Sequence, residues 1–337
     1  GTLTGRPAWV SAADAPAAGW ALSTYASDPG GVCGLEISVA SQQAQANVAP
    51  DYTQASPCGA SPRPVGFTLN PCALPDGAYT LSESATNPAG MVGYGPYNGE
   101  TINIDCTPPS TSVASAPAAA RWYSSAQQVT FAGSDNYAGV GQMSCNDGPH
   151  AGSSYTEAAS AQGTHTVSCS AIDNAANVGN TASATVHIDY QAPTVAFTGP
   201  GQSGWASGTQ GITATGSEAQ ALSGVASVSC AVDGAAAATV SGASQLVKIA
   251  SDGTHTITCQ ATTGAGVTGP KASYTVHVDN DPPTLEFSGG PPQSAWETSS
   301  QAITVSAADQ PELSGLKEIQ CSLAGVNDTS TASPIQI

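Results

Sequence analysis

The sequence predicts an all-β protein built as a string of β-sandwiches. Residues 163–177 alternate apolar and polar side chains and then enter an Asn- and Ala-rich turn, and residues 253–266 repeat this pattern. A fainter copy lies at residues 77–90. Such alternation is typical of a strand that buries one of its faces. Because one strand cannot cover its own apolar face, we expect a separate sandwich around each copy.

Composition supports this fold class. Charged residues make up only 9% of the 337 residues, while the chain holds 37 glycines and 24 prolines. This disfavours salt-bridged helices and coiled coils, and it favours short strands joined by turns. The corresponding cysteines Cys169 and Cys259 lie about ninety residues apart. That period indicates four domains, whereas length alone suggests about two.

The predicted domains follow the order of the repeated strands. The first is the most divergent, the next two carry the full series of strands, and the last ends where its central strand should begin. Their ranges are 1–107, 108–191, 192–281 and 282–337. For the last domain two interpretations stay open: a truncated sandwich, or one completed by a strand from another chain. The short, proline-containing linkers predict that the domains form an elongated, semi-rigid rod.

Charge excludes several classes of partner. The net charge is −18, and the six lysines and arginines are scattered singly along the chain. Nucleic acids and anionic membranes require clustered cations, so we expect neither as a partner. No apolar run is long enough to span a bilayer, and no signal peptide is recognisable. We therefore expect an acidic, monomeric segment without membrane insertion.

Nine cysteines are present, and none forms a Cys-x-x-Cys pair or a cluster with zinc spacing. Disulfides are the better explanation, and they indicate an extracellular protein, either secreted or associated with the cell wall. The repeat register predicts that Cys145 pairs with Cys169 and that Cys230 pairs with Cys259. The first domain has four cysteines of its own, which allow three pairings. Strand geometry favours Cys72 with Cys106, leaving Cys33 with Cys58.

Acidic residues recur where the strands of adjacent domains should meet. Some follow the second strand of a domain, Asp173 lies in the loop after a central strand, and others end the final strand of the preceding domain. Carboxylates converging from a linker and two loops are suitable ligands for Ca²⁺. The residues expected to hold calcium are Asp105, Asp135, Asp173, Asp279, Asp281 and Asp309. Against this, the third domain has Thr263 in place of its loop acid, and solvated loop ends commonly carry Asp.

Histidines and tryptophans also recur with the repeats. Strand alternation points His165 inward and His187 outward, so the two cannot share a metal ion. Trp122, Trp205 and Trp296 precede apolar strands at equal spacing. We interpret them as packing anchors under loops, while exposed and aligned rings would instead favour stacking on carbohydrate.

No catalytic motif is found. The sequence contains neither the Gly-x-Ser-x-Gly nor the phosphate-loop spacing, and its single His and Asp residues occupy repeat positions. We therefore expect a protein that is not an enzyme, without catalytic residues and with no cofactor other than structural calcium.

The order of motifs resembles that of bacterial immunoglobulin-like repeat proteins. The motifs are Pro-Pro-Thr-x-x-Phe, Ser-Gly-Val before a cysteine, Gly-Thr-His-Thr-Val-x-Cys, Ala-x-Asp-x-Ala-x-Asn and Val-x-Val-Asp. The resemblance covers residues 108–337 well and the first domain more loosely. It implies tandem immunoglobulin-like sandwiches in a cell-surface stalk or adhesion segment, with a cell-surface glycan or protein as partner. The alternative is a carbohydrate- or protein-binding accessory module of a larger secreted protein. One departure is that the cysteines join neighbouring strands of one sheet, whereas in antibody domains the bridge crosses the core.

Overall fold

The computed structural model describes residues 9–11, 20–59, 64–292, 294, 296–323 and 325–336. These residues form strands joined by turns, with a single 3₁₀ turn at Pro71–Ala73. The prediction of an all-β chain of tandem β-sandwiches is therefore confirmed. In this part of the chain, no helix has the length and apolar character needed to cross a membrane.

The chain divides into two compact units. The first comprises Gly1–Arg121 and Ala126–His187, and the second comprises Trp122–Ser125 and Ile188–Ile337. The four predicted domains are a finer division, which stays a prediction.

The described residues of the first domain form seven strands. They are β1 (Trp20–Thr24), β2 (Gly34–Val39), β3 (Gln42–Asn47), β4 (Val65–Leu69), β5 (Gly77–Thr86), β6 (Val92–Tyr94) and β7 (Thr101–Ile104). One sheet has the order β3-β2-β5-β6 with β7 also paired to β5, and β1 pairs with β4. Its core includes Ile37, Leu69, Leu81 and Ile104, all fully buried.

The second domain repeats a two-sheet plan. Its strands are β8 (Ser110–Ser115), β9 (Trp122–Tyr123), β10 (Gln127–Ser134), β11 (Val140–Cys145), β12 (Gly148–Ala151), β13 (Ser154–Ala159), β14 (Gly163–Asp173) and β15 (Val178–Ile188). One sheet orders β13-β10-β8, and the other includes β12, β11, β14 and β15 in that order. Along the central strand β14, Val167, Cys169, Ala171 and Asp173 are buried in alternation, as the sequence pattern predicts.

The third domain has the same plan. Its strands are β16 (Thr194–Thr198), β17 (Trp205–Ala206), β18 (Gln210–Ser217), β19 (Val225–Val232), β20 (Ala238–Ser241), β21 (Ser244–Ile249), β22 (Gly253–Thr263) and β23 (Ala272–Val278). The sheets are β16-β18-β21 and β17-β23-β22-β19-β20. Between them lies a core that includes Ile212, Val228, Ile257 and Val276.

The described residues of the fourth domain form only part of this plan. Its strands are β24 (Thr284–Gly289), β25 (Ile303–Ala308), β26 (Ile319–Leu323), β27 (Val326–Ser330) and β28 (Ile335–Gln336). They form a β24-β25-β28 sheet and a β26-β27 pair. Among the described residues, no strand corresponds to the central strands β14 and β22.

Four disulfides join the cysteines in the pairs Cys33–Cys58, Cys72–Cys106, Cys145–Cys169 and Cys230–Cys259. Cys145 lies directly opposite Cys169 on the neighbouring strands β11 and β14, and Cys230 lies directly opposite Cys259 on β19 and β22. Both bridges therefore lie within one sheet. Cys321 is free and half-buried.

Close backbone packing explains one pair of repeated glycines. A Cβ on Gly179 would lie 2.1 Å from the carbonyl oxygen of Pro109, and a Cβ on Gly269 would lie 1.9 Å from that of Pro193. Real Cβ atoms do not approach an oxygen so closely, so only glycine fits at these two positions, each of which follows the loop after a central strand. The same fit in both domains fixes how the first strand lies against the strand after the central loop.

The repeated aromatic positions differ among domains. His165 is half-buried with Nε2 2.6 Å from the carbonyl oxygen of Ala161, while His187 Nδ1 lies 2.9 Å from the Thr164 hydroxyl. Trp205 is 36% exposed and lies over His277, with ring centroids 5.2 Å apart. Trp296 is fully exposed, so the packing interpretation is wrong there. The described part of the fourth domain has no counterpart of β23 on which Trp296 could pack.

Candidate cation sites at the junction aspartates

Asp105, Asp189 and Asp279 each directly follow the last strand before a predicted domain boundary, and we name them the junction aspartates. Each carboxylate is used in the same way. Its Oδ1 accepts a 3.1 Å hydrogen bond from the backbone N–H two residues later. Its Oδ2 accepts a backbone N–H from the following domain, donated by Ala138 at 2.8 Å, Ser223 at 3.2 Å or Ser314 at 3.0 Å. We call this pair of hydrogen bonds the junction clamp.

The turn that donates to the clamp has a fixed shape. The donor residue is followed by a glycine with φ in the left-handed region: 72° at Gly139, 68° at Gly224 and 75° at Gly315. Residues with a Cβ rarely adopt this conformation, which explains the recurring glycine after the donor. The glycine therefore presents the preceding N–H to the junction aspartate in all three places.

A second acid accompanies each junction aspartate. Asp135, Glu218 and Asp309 directly follow β10, β18 and β25, and we name them the second-strand acids. Each has one carboxylate oxygen that is buried without a hydrogen-bond partner: Asp135 Oδ1, Glu218 Oε2 and Asp309 Oδ1. Buried polar atoms usually have partners, so three such atoms at equivalent positions form a repeated feature of the fold.

The most complete site contains Asp105, Asp135 and Asp173, and we name it the triple-carboxylate site. One carboxylate oxygen from each residue lies within 4.8 Å of those of the other two. Asp105 is 0% exposed and Asp173 is 4% exposed. Burial raises the pKa of Asp105 above its ordinary value, and the charges of Asp135 and Asp76 raise it further, despite hydrogen bonds from Ala138 and Thr107.

The donors that reach this site in the described chain are neutral. Asp135 Oδ2 accepts the backbone N–H groups of Tyr137 at 3.0 Å and Gly139 at 2.8 Å. Asp173 Oδ1 accepts those of Ala175 at 2.9 Å and Asn177 at 2.8 Å, and its Oδ2 accepts the Asn177 side-chain amide at 2.9 Å. These bonds shape the two loops, and none of them comes from a cationic group.

The equivalent site in the third domain has two carboxylates, Asp189 and Glu218. The Ser223 side chain donates a short hydrogen bond to Asp189 Oδ2, and Leu222 donates its N–H to Glu218 Oε1 at 3.1 Å. Burial raises the pKa of Glu218 above its ordinary value, outweighing that bond, and the neighbouring Asp189 raises it further. Thr263 occupies the position of Asp173, where its hydroxyl accepts the Val267 N–H at 3.1 Å.

The fourth-domain residues are more open to solvent. Asp279 is half-buried, and hydrogen bonds from the Ser314 side chain and backbone lower its pKa. Asp281 is exposed and contributes its backbone N–H to Asp279 Oδ1. Within the described residues, Asp279, Asp281 and Asp309 do not form a group of three converging carboxylates.

The sequence pattern does not predict the roles of two further acids, Asp76 and Glu157. Asp76 Oδ1 accepts the Cys106 N–H at 2.8 Å, and its Oδ2 accepts the Asn136 amide at 3.3 Å. Asp76 directly precedes β5, and from the sequence alone it would be interpreted as an ordinary turn residue. Glu157 faces inward beside the Cys145–Cys169 bridge. Its burial raises its pKa, and the charge of Asp147 raises that pKa further. Its sulfur neighbours form a disulfide, so they offer no thiolate to a metal ion.

Comparison with known proteins gives distant structural likenesses. No protein-family model matches the chain, and no curated protein matches it. A bacterial ice-binding adhesin structure covers 81% of this chain and 95% of its own length, with 16% identity and a TM-score of 0.37. The Escherichia coli adhesin FdeC covers 78% and 98%, with 12% identity and a TM-score of 0.34. Fibronectin(III)-like modules of Clostridium thermocellum CbhA cover 50% and 94%, with 17% identity and a TM-score of 0.28. These values are too low for the likenesses to bear on function.

Proposed function

We propose that this chain is a non-catalytic extracellular segment of a bacterial cell-surface protein, in which tandem immunoglobulin-like domains act as a stalk in adhesion. The observation that carries the proposal is the junction clamp, which recurs at Asp105, Asp189 and Asp279. A clamp of this kind lies within a few residues of each predicted domain boundary, after residues 107, 191 and 281. We therefore keep these boundaries as part of the proposal.

A clamp at a domain junction supports a load-bearing role because it limits bending. Asp105 is fully buried, and the N–H of Ala138 that it accepts is buried as well. The Asn177 side chain adds a 2.9 Å hydrogen bond to the carbonyl oxygen of Asp105. Bending the chain here would break both bonds and leave buried polar groups without partners, at a cost of about 1–3 kcal/mol for each group.

The chemistry of the chain supports the extracellular part of the proposal. Four disulfides are formed by eight of the nine cysteines, and such bridges persist in oxidising compartments. The net charge of −18 favours solubility outside the cell. The carboxylates at the junctions accept backbone N–H groups that shape turns, which supports a structural rather than a catalytic use.

Small-angle X-ray scattering tests the stalk. The triple variant Asp105→Ala, Asp189→Ala, Asp279→Ala removes all three clamps. Its control, Asp51→Ala, Asp147→Ala, Asp328→Ala, removes the same charge from exposed positions. We expect an extended, stiff wild type and control, and a more flexible triple variant with unchanged strand content by circular dichroism. A compact wild type, or identical flexibility in all three proteins, would remove the support for a stalk.

A second candidate function is glycan binding by the first domain. An open cavity of about 290 Å³ is lined by Asp28, Asn87 and Met91. Tyr25 and Tyr94 are 67% and 71% exposed, and each is the chain neighbour of a lining residue. A glycan site usually combines aromatic rings that stack on the apolar face of a sugar with polar groups that bind its hydroxyls, and this part of the first domain supplies exposed rings and polar groups close together in sequence.

A glycan array tests this second function. Tyr25→Ala and Tyr94→Ala should each abolish retention of any glycan that the wild type binds. Tyr190→Ala, which changes an exposed tyrosine of the linker before the third domain, should leave that retention unchanged. Equal retention by all variants, or no retention by the wild type, would count against the cavity as a sugar site.

A further inference from the structure

We propose that the Cys145–Cys169 bridge is a thiol-exchange site, at which a low-molecular-weight thiol attacks Cys145 and the buried carboxyl group of Glu157 protonates the sulfur that leaves at Cys169. The inference goes beyond the stalk role, because it concerns the chemistry of one bridge and not the shape of the chain. It rests on three observations: an accessible sulfur at Cys145, a buried carboxyl group beside the bridge, and a third-domain bridge that lacks both features.

The first observation is the unequal burial of the two cysteines. Cys145 is half-buried at the end of β11, whereas Cys169, within β14, is only 1% exposed. On the β12 side, Cys145 pairs with Gly148, which has no side chain to cover it, and a Cβ placed on Gly148 would have no atom within 4 Å. Thiol exchange requires access to the sulfur that is attacked. We therefore expect an incoming thiol to attack Cys145.

The second observation is the carboxyl group of Glu157, which reaches the bridge from the opposite sheet. One of its oxygens lies within 4.8 Å of the sulfur atoms of both cysteines. Glu157 is 8% exposed, and its Oε2 is buried without a hydrogen-bond partner in the described chain. Buried polar atoms usually have partners, so an unpaired oxygen at this place needs an explanation. It is free to interact with a new partner, such as the sulfur released at Cys169.

The exchange is balanced by these groups and the incoming thiol. The thiol loses its proton to water, its thiolate forms a bond to Cys145 Sγ, and the electron pair of the broken S–S bond leaves on Cys169 Sγ. A thiolate buried in apolar surroundings is costly, which makes Cys169 a poor leaving group. Protonated Glu157 gives its proton to Cys169, so that the negative charge lies on the carboxylate, the weaker base. A second thiol molecule then releases Cys145 as a thiol and forms an external disulfide.

The third observation is a second bridge that has the same place in its sheet but lacks these features. Cys230 and Cys259 are 4% and 1% exposed, so neither sulfur is accessible. Val247 occupies the position of Glu157 in the strand pairing. The fold therefore accepts an apolar side chain here, and a buried carboxyl group lowers stability relative to one. Its presence beside only one of the two bridges supports a chemical role for Glu157 rather than a packing role.

Three neighbouring groups bear on the proton of Glu157. Burial raises the pKa of Glu157, the charge of Asp147 raises it further, and the charge of His150 lowers it. Asp147 is itself held by two contacts: the Tyr155 hydroxyl donates to its Oδ2 at 2.6 Å, and His150 Nε2 lies 2.8 Å from its Oδ1. The raised pKa keeps the proton on Glu157 to a higher pH than in an ordinary glutamate. Exchange, counted per attacking thiolate, should therefore be fastest below this pKa and slow above it.

Exchange of the folded full chain with glutathione tests the site. After the free thiol of Cys321 is blocked, acid quenching, alkylation and peptide mass spectrometry follow each bridge separately. We expect Cys145–Cys169 to open about tenfold faster than Cys230–Cys259 or more, with the first glutathione on Cys145. At acidic pH, Glu157→Gln should slow this opening about tenfold or more, and the rates per thiolate of variant and wild type should converge as pH rises. Glu286→Gln, at an exposed position, should match the wild type.

Circular dichroism and urea midpoints separate a change in exchange from a change in folding. If Glu157→Gln fails to fold, Glu157→Val decides the question, because the third domain already folds with Val247 at this position. Opening of Cys145–Cys169 at the rate of Cys230–Cys259, or a first glutathione on Cys169, would overturn the exchange site. The same pH dependence per thiolate in Glu157→Gln and the wild type would overturn the role of Glu157 as proton donor.

Discussion

The carboxylate of Asp105 accepts a 2.8 Å hydrogen bond from the backbone N–H of Ala138, and both residues are buried. This contact joins the end of one sandwich to a turn of the next across 33 residues of sequence. Its recurrence at Asp189 and Asp279 makes it a property of the repeat. Each clamp therefore links an aspartate near a predicted domain boundary to the backbone of a turn 33 to 35 residues later.

Asp105→Ala should lower the free energy of unfolding by about 1–3 kcal/mol, because the Ala138 N–H would be left buried without its acceptor. Urea unfolding followed by circular dichroism measures the change. Asp279→Ala removes the same clamp where the aspartate is more exposed, so water can replace the carboxylate and the loss should be smaller. Equal losses in the two variants would show that burial does not determine the strength of the clamp.

Glu157→Val should stabilise the protein by roughly 1–3 kcal/mol at pH 7, because it removes a buried carboxylate that has one oxygen without a partner. Valine already occupies this place in the third domain. Val129 pairs with Glu157 on β10 and β13, as Ile212 pairs with Val247 on β18 and β21. Thermal unfolding of the variant and the wild type at the same pH measures the gain.

The gain from Glu157→Val should depend on pH. The pKa of Glu157 is raised in the folded protein, so the folded state holds this proton more tightly than the unfolded state. The wild type therefore loses stability as pH rises from the unfolded pKa through the folded pKa. Below the unfolded pKa, the variant should lose its charge-related advantage. A gain that is constant from pH 3 to pH 8 would contradict a buried, proton-binding Glu157.

Gly179→Ala should destabilise the second domain by roughly 1–3 kcal/mol, because its Cβ would lie 2.1 Å from the Pro109 carbonyl oxygen and the backbone would have to shift. Gly204→Ala is the control, since nothing lies within 4 Å of its Cβ position. That variant should stay within about 0.5 kcal/mol of the wild type. Urea midpoints measure both, and equal midpoints for the two variants would argue against the close approach.

Replacing Cys145 and Cys169 together with alanine should lower the free energy of unfolding by about 3 kcal/mol, because the unfolded chain regains the freedom that the bridge removes. Cys321→Ala serves as the control, since Cys321 forms no disulfide. Chemical denaturation under non-reducing conditions measures both variants. A double variant as stable as Cys321→Ala would mean that this bridge contributes nothing.

The repeat register makes much of this arrangement predictable. With Cys145 and Cys230 aligned, the positions of Asp105, Asp135 and Asp173 in their strands and loops place all three at one end of a sandwich. The structure brings these three together, and it leaves Asp281 exposed. Asp281 differs because it lies beyond the strand end and supplies only its N–H to Asp279. Position along a strand is readable from the sequence, but side-chain contact beyond its end is not.

Other features depend on strand pairing, which a single sequence does not reveal. The inward direction of Glu157 follows from its pairing with Val129, whereas its own segment reads as polar. The repeat spacing predicts that Trp296 packs as Trp205 does, but Trp205 lies on a strand that pairs in parallel with β23. In both cases the partner strand decides the burial, and that partner is distant in sequence.

Hydrogen exchange at the clamp amides tests the central claim most directly. In the wild type, the N–H groups of Ala138 and Ser223 should exchange slowly, because each is held by a buried junction aspartate. Asp105→Ala should accelerate exchange at Ala138 about tenfold or more, while Ser223 and the core residue Phe131 stay unchanged. If Ala138 exchanges at the same rate in both proteins, the carboxylate does not hold the junction and the clamp account is wrong.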